Sequence, residues 1–384
     1  MIPFHQPWSS GNELTYIAQA IQNQTGPDAQ HYTRACEQWL ANYLGSCKAF
    51  LTPSCTAALE MSAILADIQP GDEIIMASFT FPSMANAFVL RGGIPVFVDI
   101  RADTLNIDEN LIEAAITSRS RAIVVMHYGG VACEMDTIMA LAEKHGLIVI
   151  EDAAHAIGAT YKGRQLGSIG HLAAISFHKT KNIQCGEGGA LLINAPIYIE
   201  RAERVRENGT DKASFIRQRV AHYSWTDIGS SFIISEFSAA FLWAQMAHIE
   251  HILQQRKQLW QQYQHALQPA AAGPLTHNAH IFRISTNSPE QRQYVMGALL
   301  NHGIQSAPHY QPLHSSRAGR RHGKVSGTME NTVKASSTLL RLPLWPGLTQ
   351  QDMNLICEQT KKLMLPLDLT ASAGIKNMPH SLNL

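Results

Sequence analysis

The chain has 384 residues, of which 45% are hydrophobic and 16% are charged, and its formal net charge is zero. This balance argues against a nucleic-acid-binding protein, which usually carries a basic face, and against a polybasic membrane anchor. The length predicts two structural units, because single hydrophobic cores stop growing at roughly 250–300 residues.

The cysteines and apolar runs indicate the compartment. The six cysteines form no C-x-x-C pair and show no metal-binding spacing, so we expect reduced thiols in a cytoplasmic protein. No apolar run reaches the ~18 residues of a membrane span, and we expect no secretory signal. The eighteen histidines are scattered without an H-E-x-x-H motif, so no metal site is predicted.

Strands and helices alternate through the first half of the chain. Helices are predicted over 13–22, 32–44, 55–66, 84–91, 109–116 and 134–145, and strands over 49–51, 73–76, 95–99, 122–126 and 147–151. Residues 26–28 are expected to break the chain after the first helix. Such alternation predicts an α/β fold with a mostly parallel sheet covered by helices on both faces. No G-x-G-x-x-G motif links a strand to a helix, so a dinucleotide site is not supported.

The character of the sequence changes after residue 194. Helices are predicted over 198–207, 235–267, 290–302 and 350–362, with a strand over 281–285. The Ala-rich stretch 270–274 is a candidate boundary. We therefore expect a large domain over 1–270 and a smaller C-terminal α+β domain over 271–384, with a loosely ordered tail after Pro366.

Hydroxyl and thiol residues open the third predicted helix. The sequence Thr52-Pro53-Ser54-Cys55-Thr56 follows a short strand. Such residues cap the free N–H groups of a helix start. The same N–H groups, with the helix dipole, can also bind a phosphate. The segment alone leaves both interpretations open.

Two ionisable residues follow predicted buried strands. Asp152 comes directly after the strand over 147–151, where it is either a helix cap or a charge facing a ligand beyond the sheet edge. Lys181 lies between an apolar run and the glycine-rich turn at 186–189. It is either a surface lysine or a buried one with a lowered pKa, which could attack a carbonyl carbon.

Considered together, these sites match the needs of pyridoxal 5′-phosphate (PLP). Its aldehyde requires a lysine, for which Lys181 is the candidate. Its pyridinium nitrogen requires a carboxylate such as Asp152. Its phosphate requires an anion site such as the helix start at residues 52–56. The sequence therefore predicts a PLP-dependent enzyme.

The same motifs resemble the DegT/DnrJ/EryC1/StrS family of sugar aminotransferases. The motifs that carry the resemblance are TPSCTAAL (52–59), SFTF (78–81), VDI (98–100), EDAAH (151–155), SFH (176–178), TKN (180–182), GEGG (186–189), SEFSAA (235–240) and HYQPLH (309–314). The match extends from the first residues to about residue 365. It implies a fold-type I PLP-dependent transferase, similar to aspartate aminotransferase, with a large domain and a smaller C-terminal one.

The resemblance also implies roles for individual residues. Lys181 would form the Schiff base and Asp152 would pair with the pyridinium nitrogen. The remaining cofactor-binding positions would be Cys55, Thr56 and Ser176 at the phosphate, Phe81 on the ring face, His155 at the ring 3-oxygen and Ser231. Many relatives have Asn at the position of Ser231, where it reaches the cofactor of the neighbouring subunit in a homodimer.

The substrates follow from the same resemblance. The family implies a nucleotide-linked keto sugar and L-glutamate as partners. Three stretches, over 1–4, 127–136 and 227–231, are similar to family members that aminate dTDP-4-keto-6-deoxyglucose. His309, Tyr310 and His314 would bind this sugar nucleotide. Pro312 excludes a regular helix or central strand there, so we expect a loop, and His314 could equally face solvent.

Two other functions are alternatives to transamination. PLP-dependent sugar dehydratases of this family replace the lysine with His, so Lys181 argues against that reaction. A non-catalytic sensor or scaffold with this fold would carry a basic DNA-binding module, and none is visible in the sequence.

Overall fold

The computed structural model describes residues 1–23, 25, 29–268 and 277–364. The predicted break at 26–28, the domain boundary at 270–271 and the tail after Pro366 lie outside the described residues and stay predictions. Among the described helices, none combines the length and the apolarity that crossing a bilayer requires.

The helices follow the predicted order closely. They are α1 Glu13–Gln22, α2 His31–Leu44, α3 Cys55–Leu65, α4 Pro82–Val89, α5 Glu109–Ala115, α6 Met135–His145, α7 Ile199–Arg206, α8 Lys212–Ile216, α9 Glu236–Met246, α10 Ile249–Leu267, α11 Pro289–Asn301, α12 Arg317–His322, α13 Glu330–Thr338 and α14 Gln350–Met364. Side-chain oxygens cap several of these helices, with Ser54 before α3, Asp108 before α5, Ser235 before α9 and Ser288 before α11. Each cap satisfies a backbone N–H that the helix start leaves free.

The prediction of one helix over 235–267 is wrong. α9 ends at Met246 and α10 begins at Ile249, with His248 as its N-cap residue. The apolar periodicity continues across the break, which hides it in the sequence. The two helices pack against different elements: α9 packs on α1 and α2, whereas α10 packs on α14.

Twelve strands complete the described structure. They are β1 Lys48–Thr52, β2 Glu73–Ala77, β3 Ile94–Val98, β4 Ser120–Met126, β5 Ile148–Asp152, β6 Thr160–Tyr161, β7 Arg164–Gln165, β8 Leu172–Ser176, β9 Gly189–Ile193, β10 Phe282–Ser285, β11 Lys324–Val325 and β12 Leu339–Leu342.

The large sheet has eight strands in the order β1-β9-β8-β5-β4-β2-β3-β11. The strands β8, β5, β4, β2, β3 and β11 are parallel to one another. The strand β9 is antiparallel to both of its neighbours, β1 and β8. The carboxyl ends of β1, β8, β5, β4 and β2 therefore lie at one edge, where open α/β sheets bind their ligands. The register places Thr52 and Ser176 on either side of Gly189 at this edge.

A second core belongs to the C-terminal third of the chain. β10 pairs with β12 in an antiparallel two-stranded sheet. Buried residues of this sheet, α10, α11 and α14 form one apolar cluster, which Ile2 joins from the other end of the chain. In contrast, the short strand β11 leaves this unit and extends the large sheet beside β3.

Candidate active site

The start of α3 lies against the first residue of β9. The Ser54 hydroxyl accepts a hydrogen bond from the N–H of Ala57 at 3.1 Å, so Ser54 is the cap. A Cβ atom at Gly189 would lie 2.4 Å from the backbone nitrogen of Cys55, a distance that only glycine avoids. The predicted phosphate residues Cys55 and Thr56 form the first turn of the helix, where N–H groups have no partner within the helix. Both interpretations are therefore possible at once, because Ser54 caps the helix while the N–H groups of Cys55 and Thr56 stay available to an anion.

Asp152 is the final residue of β5 and not the residue after it. Its Oδ1 accepts a hydrogen bond from the N–H of Ala154 at 3.0 Å. The segment after it forms a turn and not a regular helix, so this single bond replaces the predicted helix cap. Burial raises the pKa of Asp152, while the Ala154 N–H and the positive charge of Lys181 act in the opposite direction.

Lys181 lies in the loop between β8 and β9. Its backbone N–H donates to the carbonyl of His178 at 2.9 Å. Burial lowers the pKa of its amine, opposed by the Cys55 thiol and the Asp152 carboxylate nearby. The surface-lysine interpretation is therefore the weaker one, since an exposed lysine loses no solvation. Ser176, the last residue of β8, is buried at the same edge.

Aromatic and imidazole rings surround this edge. The rings of His155 and His280 have centroids 4.4 Å apart, and those of His155 and His309 are parallel at 6.3 Å. Burial lowers the pKa of His155, His280 and His309. Nδ1 of His155 accepts the N–H of Gly129 at 3.2 Å. The imidazoles are therefore neutral groups that donate or accept hydrogen bonds without adding charge.

Sequence patterns alone do not reveal His280 or the residues that hold it. Nδ1 of His280 lies 2.8 Å from Oδ1 of Asn182, the neighbour of Lys181. The buried guanidinium of Arg256 donates to the carbonyls of Ala279 and His280 at 3.1 and 2.7 Å. These contacts fix a C-terminal segment against the lysine loop. The signal for Arg256 in the sequence is its helical spacing from Ile252 and Leu259, which places it on the buried face of the amphipathic helix α10.

A buried pair of polar side chains, His127 and Glu151, lies next to Asp152. Nε2 of His127 lies 2.9 Å from Oε2 of Glu151, and both side chains are fully buried. Glu151 also accepts the N–H groups of Gly167, Ile169 and Gly170. Burial alone would raise the pKa of Glu151, but the hydrogen bond from His127 and these N–H groups lower it.

The predicted substrate residues occupy the neighbouring loop. The rings of His309 and Tyr310 stack with centroids 3.9 Å apart, and Tyr310 also contacts Phe79 edge-on. Nδ1 of His314 lies 2.7 Å from the Ser78 hydroxyl, just beyond β2. The loop prediction is confirmed, apart from a single 3-10 turn over Leu313–Ser315.

Two predicted site residues face outward. Phe81 is the N-cap residue of α4 and is 57% exposed. Ser231 is exposed and pairs through its backbone with Glu207. Among the described residues, neither Phe81 nor Ser231 makes a hydrogen bond to Lys181, Asp152 or Ser176. Their assigned roles stay predictions.

The residues at this edge fit PLP in chemical type. Lys181 offers a poorly solvated amine, Asp152 a buried carboxylate and α3 a helix start held close to the sheet. His155 offers a neutral ring nitrogen. The set contains each kind of group that the aldehyde, the ring nitrogen and the phosphate require.

Comparisons with known proteins agree with this geometry. The chain is 31% identical to the spore coat polysaccharide biosynthesis protein SpsC of Bacillus subtilis, over 96% of this chain and 98% of that protein. The putative sugar aminotransferase Spr1654 of Streptococcus pneumoniae, in its PMP form, superposes with a TM-score of 0.87 at 25% identity, covering 95% and 99% of the two chains. DesV of S. venezuelae superposes with a TM-score of 0.83 at 29% identity, covering 93% and 95%.

These likenesses confirm the predicted fold-type I fold. The S. pneumoniae protein has been solved in PMP, PLP and apo forms, which supports the prediction of PLP as the cofactor. The sequence profile of the DegT/DnrJ/EryC1/StrS aminotransferase family matches residues 9–361. The chain therefore belongs to the DegT/DnrJ/EryC1/StrS aminotransferase family.

Proposed function

We propose that this protein transfers an amino group from L-glutamate to a nucleotide-linked keto sugar, with PLP bound at Lys181. The observation that carries the proposal is Lys181, half-buried in the loop after β8, whose amine interacts electrostatically with Asp152 and Cys55 near the carboxyl edge of the large sheet. A lysine with a lowered pKa can act both as a nucleophile and as a proton carrier.

The chain's own residues have distinct tasks in this reaction. When bound, PLP supplies an aldehyde and an electron-withdrawing ring. Lys181 would hold the aldehyde, and its free amine would move a proton at the donor's α-carbon. Asp152 would keep the ring nitrogen protonated through its negative charge. Cys55, Thr56 and Ser176 would hold the phosphate, and Phe81 would cover the ring face.

The acceptor we propose is dTDP-4-keto-6-deoxyglucose, giving dTDP-4-amino-4,6-dideoxygalactose and 2-oxoglutarate. The stretches over 1–4, 127–136 and 227–231 support this choice by their similarity to the transaminase that makes this sugar for enterobacterial common antigen. A surface polysaccharide is also the destination that the name of the B. subtilis relative indicates. The alternative is another nucleotide keto sugar handled by the same chemistry.

We further propose a homodimer with active sites at the subunit interface. Large apolar side chains are exposed between α7 and α9, notably Ile216 at 66% and Trp225 at 78%. Ser231 follows in the same segment and would reach the partner's cofactor. Apolar exposure of this kind is typical of a surface that a partner covers, and two-fold symmetry lets one patch meet itself.

A product analysis tests the proposed reaction. Purified protein loaded with PLP is mixed with L-glutamate and dTDP-4-keto-6-deoxyglucose, and the product is identified by mass and NMR. We expect the NMR spectrum to show an axial amino group at C4, which identifies the galacto product, and not an equatorial one. Parallel reactions contain a 3-keto dTDP sugar and a 4-keto UDP sugar. Faster turnover of either would replace the proposed acceptor while leaving the transaminase assignment in place.

A further inference from the structure

The lysine loop, which joins β8 to β9 over residues 177–188, has irregular backbone around the lysine. Residues 178–183 form bends and turns. The N–H of Lys181 donates to the carbonyl of His178, and that of Lys179 donates to the carbonyl of Gly186, both at 2.9 Å. The direction in which the Lys181 side chain leaves this loop therefore also depends on the groups that hold the loop from outside.

Asn182, the residue after Lys181, receives such support. Its side chain is buried and makes two hydrogen bonds to one segment of the C-terminal third. Its Nδ2 donates to the carbonyl of Asn278 at 3.3 Å, and its Oδ1 lies 2.8 Å from Nδ1 of His280. An amide oxygen only accepts hydrogen bonds, so His280 carries a proton on Nδ1 and donates it to Asn182.

The segment that provides these bonds is itself firmly held. Nδ2 of Asn278 donates to the carbonyl of His155 at 2.7 Å, and the buried guanidinium of Arg256 donates to the carbonyls of Ala279 and His280. Ala279 has a φ of +54°, in the left-handed region that favours glycine. Strained backbone of this kind persists where the surrounding contacts enforce it. His280 is therefore a fixed support for the lysine loop.

The two ring nitrogens of His280 are chemically different. Burial lowers the pKa of His280, and the nearby charges of Lys181 and Arg256 act in the same direction. The ring is therefore neutral, with a donor at Nδ1 and an acceptor at Nε2. Nδ1 bonds to Asn182, whereas Nε2 makes no hydrogen bond among the described residues. A test can address each nitrogen separately.

We propose that His280 is a positioning residue for Lys181, acting through the hydrogen bond from its Nδ1 to Asn182; this inference rests on the function proposed above. In that function the lysine amine must reach both the cofactor and the α-carbon of the donor. A small displacement of a reacting group costs much of its rate. Because Asn182 directly follows Lys181, the bond to His280 ties the main chain of the lysine to the C-terminal segment.

Conservative variants distinguish the two nitrogens. The amide nitrogen of asparagine lies close to the position of Nδ1, and that of glutamine lies close to the position of Nε2. His280→Asn should therefore keep the bond to Asn182, and His280→Gln should lose it. Asn182→Leu removes the same bond from the other partner, so the test does not depend on one variant. Circular dichroism checks the fold of each.

The first measurement is made before PLP is added and needs no activity. Hydrogen exchange in the lysine loop is followed by mass spectrometry of peptides that contain the N–H of Lys181. We expect exchange to become about 10-fold faster in His280→Gln and in Asn182→Leu, the effect of one lost buried hydrogen bond. Exchange in His280→Asn should stay near that of the wild type.

The second measurement follows the enzyme as PLP binds and reacts. The visible absorbance of the lysine-bound cofactor should form about 10-fold more slowly in His280→Gln, and both half-reactions should slow together, because they share Lys181. Combining His280→Gln with Asn182→Leu should add little to either loss, because both variants remove one contact. His277→Phe is the matched control, since His277 lies in the same segment but its ring packs on Trp260.

Three results would overturn the inference. Activity restored by His280→Gln and not by His280→Asn would assign the role to Nε2. Equal changes in His277→Phe and His280→Gln would mean that any alteration of the segment loosens the loop. Unchanged exchange in His280→Gln would show that the bond does not hold the loop. In contrast, the expected exchange pattern in a wild-type protein that does not transaminate would refute the proposed function and leave the contact between His280 and Asn182 as a support of the loop.

Discussion

The hydroxyl of Tyr128 lies 3.0 Å from Nδ1 of His309. This contact joins the segment after β4 to a loop of the C-terminal third, across the carboxyl edge of the large sheet. Burial lowers the pKa of His309, so its ring is neutral and its second nitrogen can bond to a substrate hydroxyl or phosphate oxygen.

His309→Ala should therefore impair the keto-sugar half-reaction. We expect its KM to rise or its rate to fall by about 10-fold, the effect of one lost hydrogen bond to an anionic or polyhydroxyl ligand. The glutamate half-reaction, followed by the cofactor's absorbance, should change much less. The exposed His322 provides the control variant His322→Ala. Equal damage to both half-reactions would move His309 from the substrate to the shared cofactor site.

Lys181→Ala should abolish the Schiff base and nearly all turnover. The purified wild-type enzyme is expected to absorb visible light through its lysine-bound cofactor. Borohydride should remove this absorbance and leave reduced cofactor covalently attached to Lys181, which peptide mass analysis detects. Lys179→Ala is the control, because Lys179 is exposed two residues away. Normal activity of Lys181→Ala would show that another residue carries the cofactor.

Asp152→Asn should retain the fold and lose at least about 10²-fold in rate, the low end for a positioned catalytic group. The amide keeps the size of the side chain but cannot hold the ring nitrogen protonated. Asp136→Asn is the control, since Asp136 pairs with Lys162 at the surface, where an ion pair contributes little. Circular dichroism checks the fold of both variants. A rate near that of the wild type would leave Asp152 with only its turn-forming hydrogen bond to Ala154.

Stability should fall as the pH drops below about 6.5. Burial lowers the pKa of His5 and of His277 to about 4, whereas in the unfolded chain a histidine titrates near ~6.5. Between these values the unfolded state binds more protons, so each histidine lowers the free energy of unfolding by up to about 1.4 kcal/mol per pH unit. Above that window the effect is absent. Chemical denaturation from pH 8 to pH 5 measures it.

The variant His277→Phe isolates one contribution to this slope. The free energy of unfolding of this variant should depend less steeply on pH than that of the wild type, whatever its value at pH 8. The exposed His302 gives the control His302→Phe, whose slope should match the wild type. An unchanged slope in His277→Phe would show that His277 is protonated in the folded protein at pH 5.

Ile216→Glu should dissociate the proposed homodimer. A carboxylate on each copy would be buried and repelled across a two-fold interface. Sedimentation should show a shift toward the monomer, with a parallel loss of activity. Val333→Glu is the control on α13, where the side chain is 51% exposed. A wild-type protein that is fully active as a monomer would refute the proposed assembly.

Local patterns were sufficient to predict much of this protein. The apolar runs predicted β1 to β5, and the types of Lys181 and Asp152 predicted PLP. The features that the sequence does not predict depend on contacts between residues that are far apart along the chain. Nothing near Arg341 reveals its position opposite Arg283, because this depends on the pairing of β10 with β12. Nothing near His280 reveals its contact with Asn182, because this forms when the C-terminal unit packs on the lysine loop. The break at His248 was missed because periodicity reports which face is buried and not whether the backbone turns.

The strand β11 has a consequence for the biogenesis of the large sheet. Lys324 pairs with Val96, and its amine reaches Glu73 at 2.8 Å. A ribosome must therefore synthesise more than three quarters of the chain before the outer edge of β3 is covered. An uncovered strand edge is a template for pairing with other chains, and late long-range contacts slow folding. Fragments that end shortly before residue 324 should aggregate through β3, even though they contain every residue that we propose to hold the cofactor.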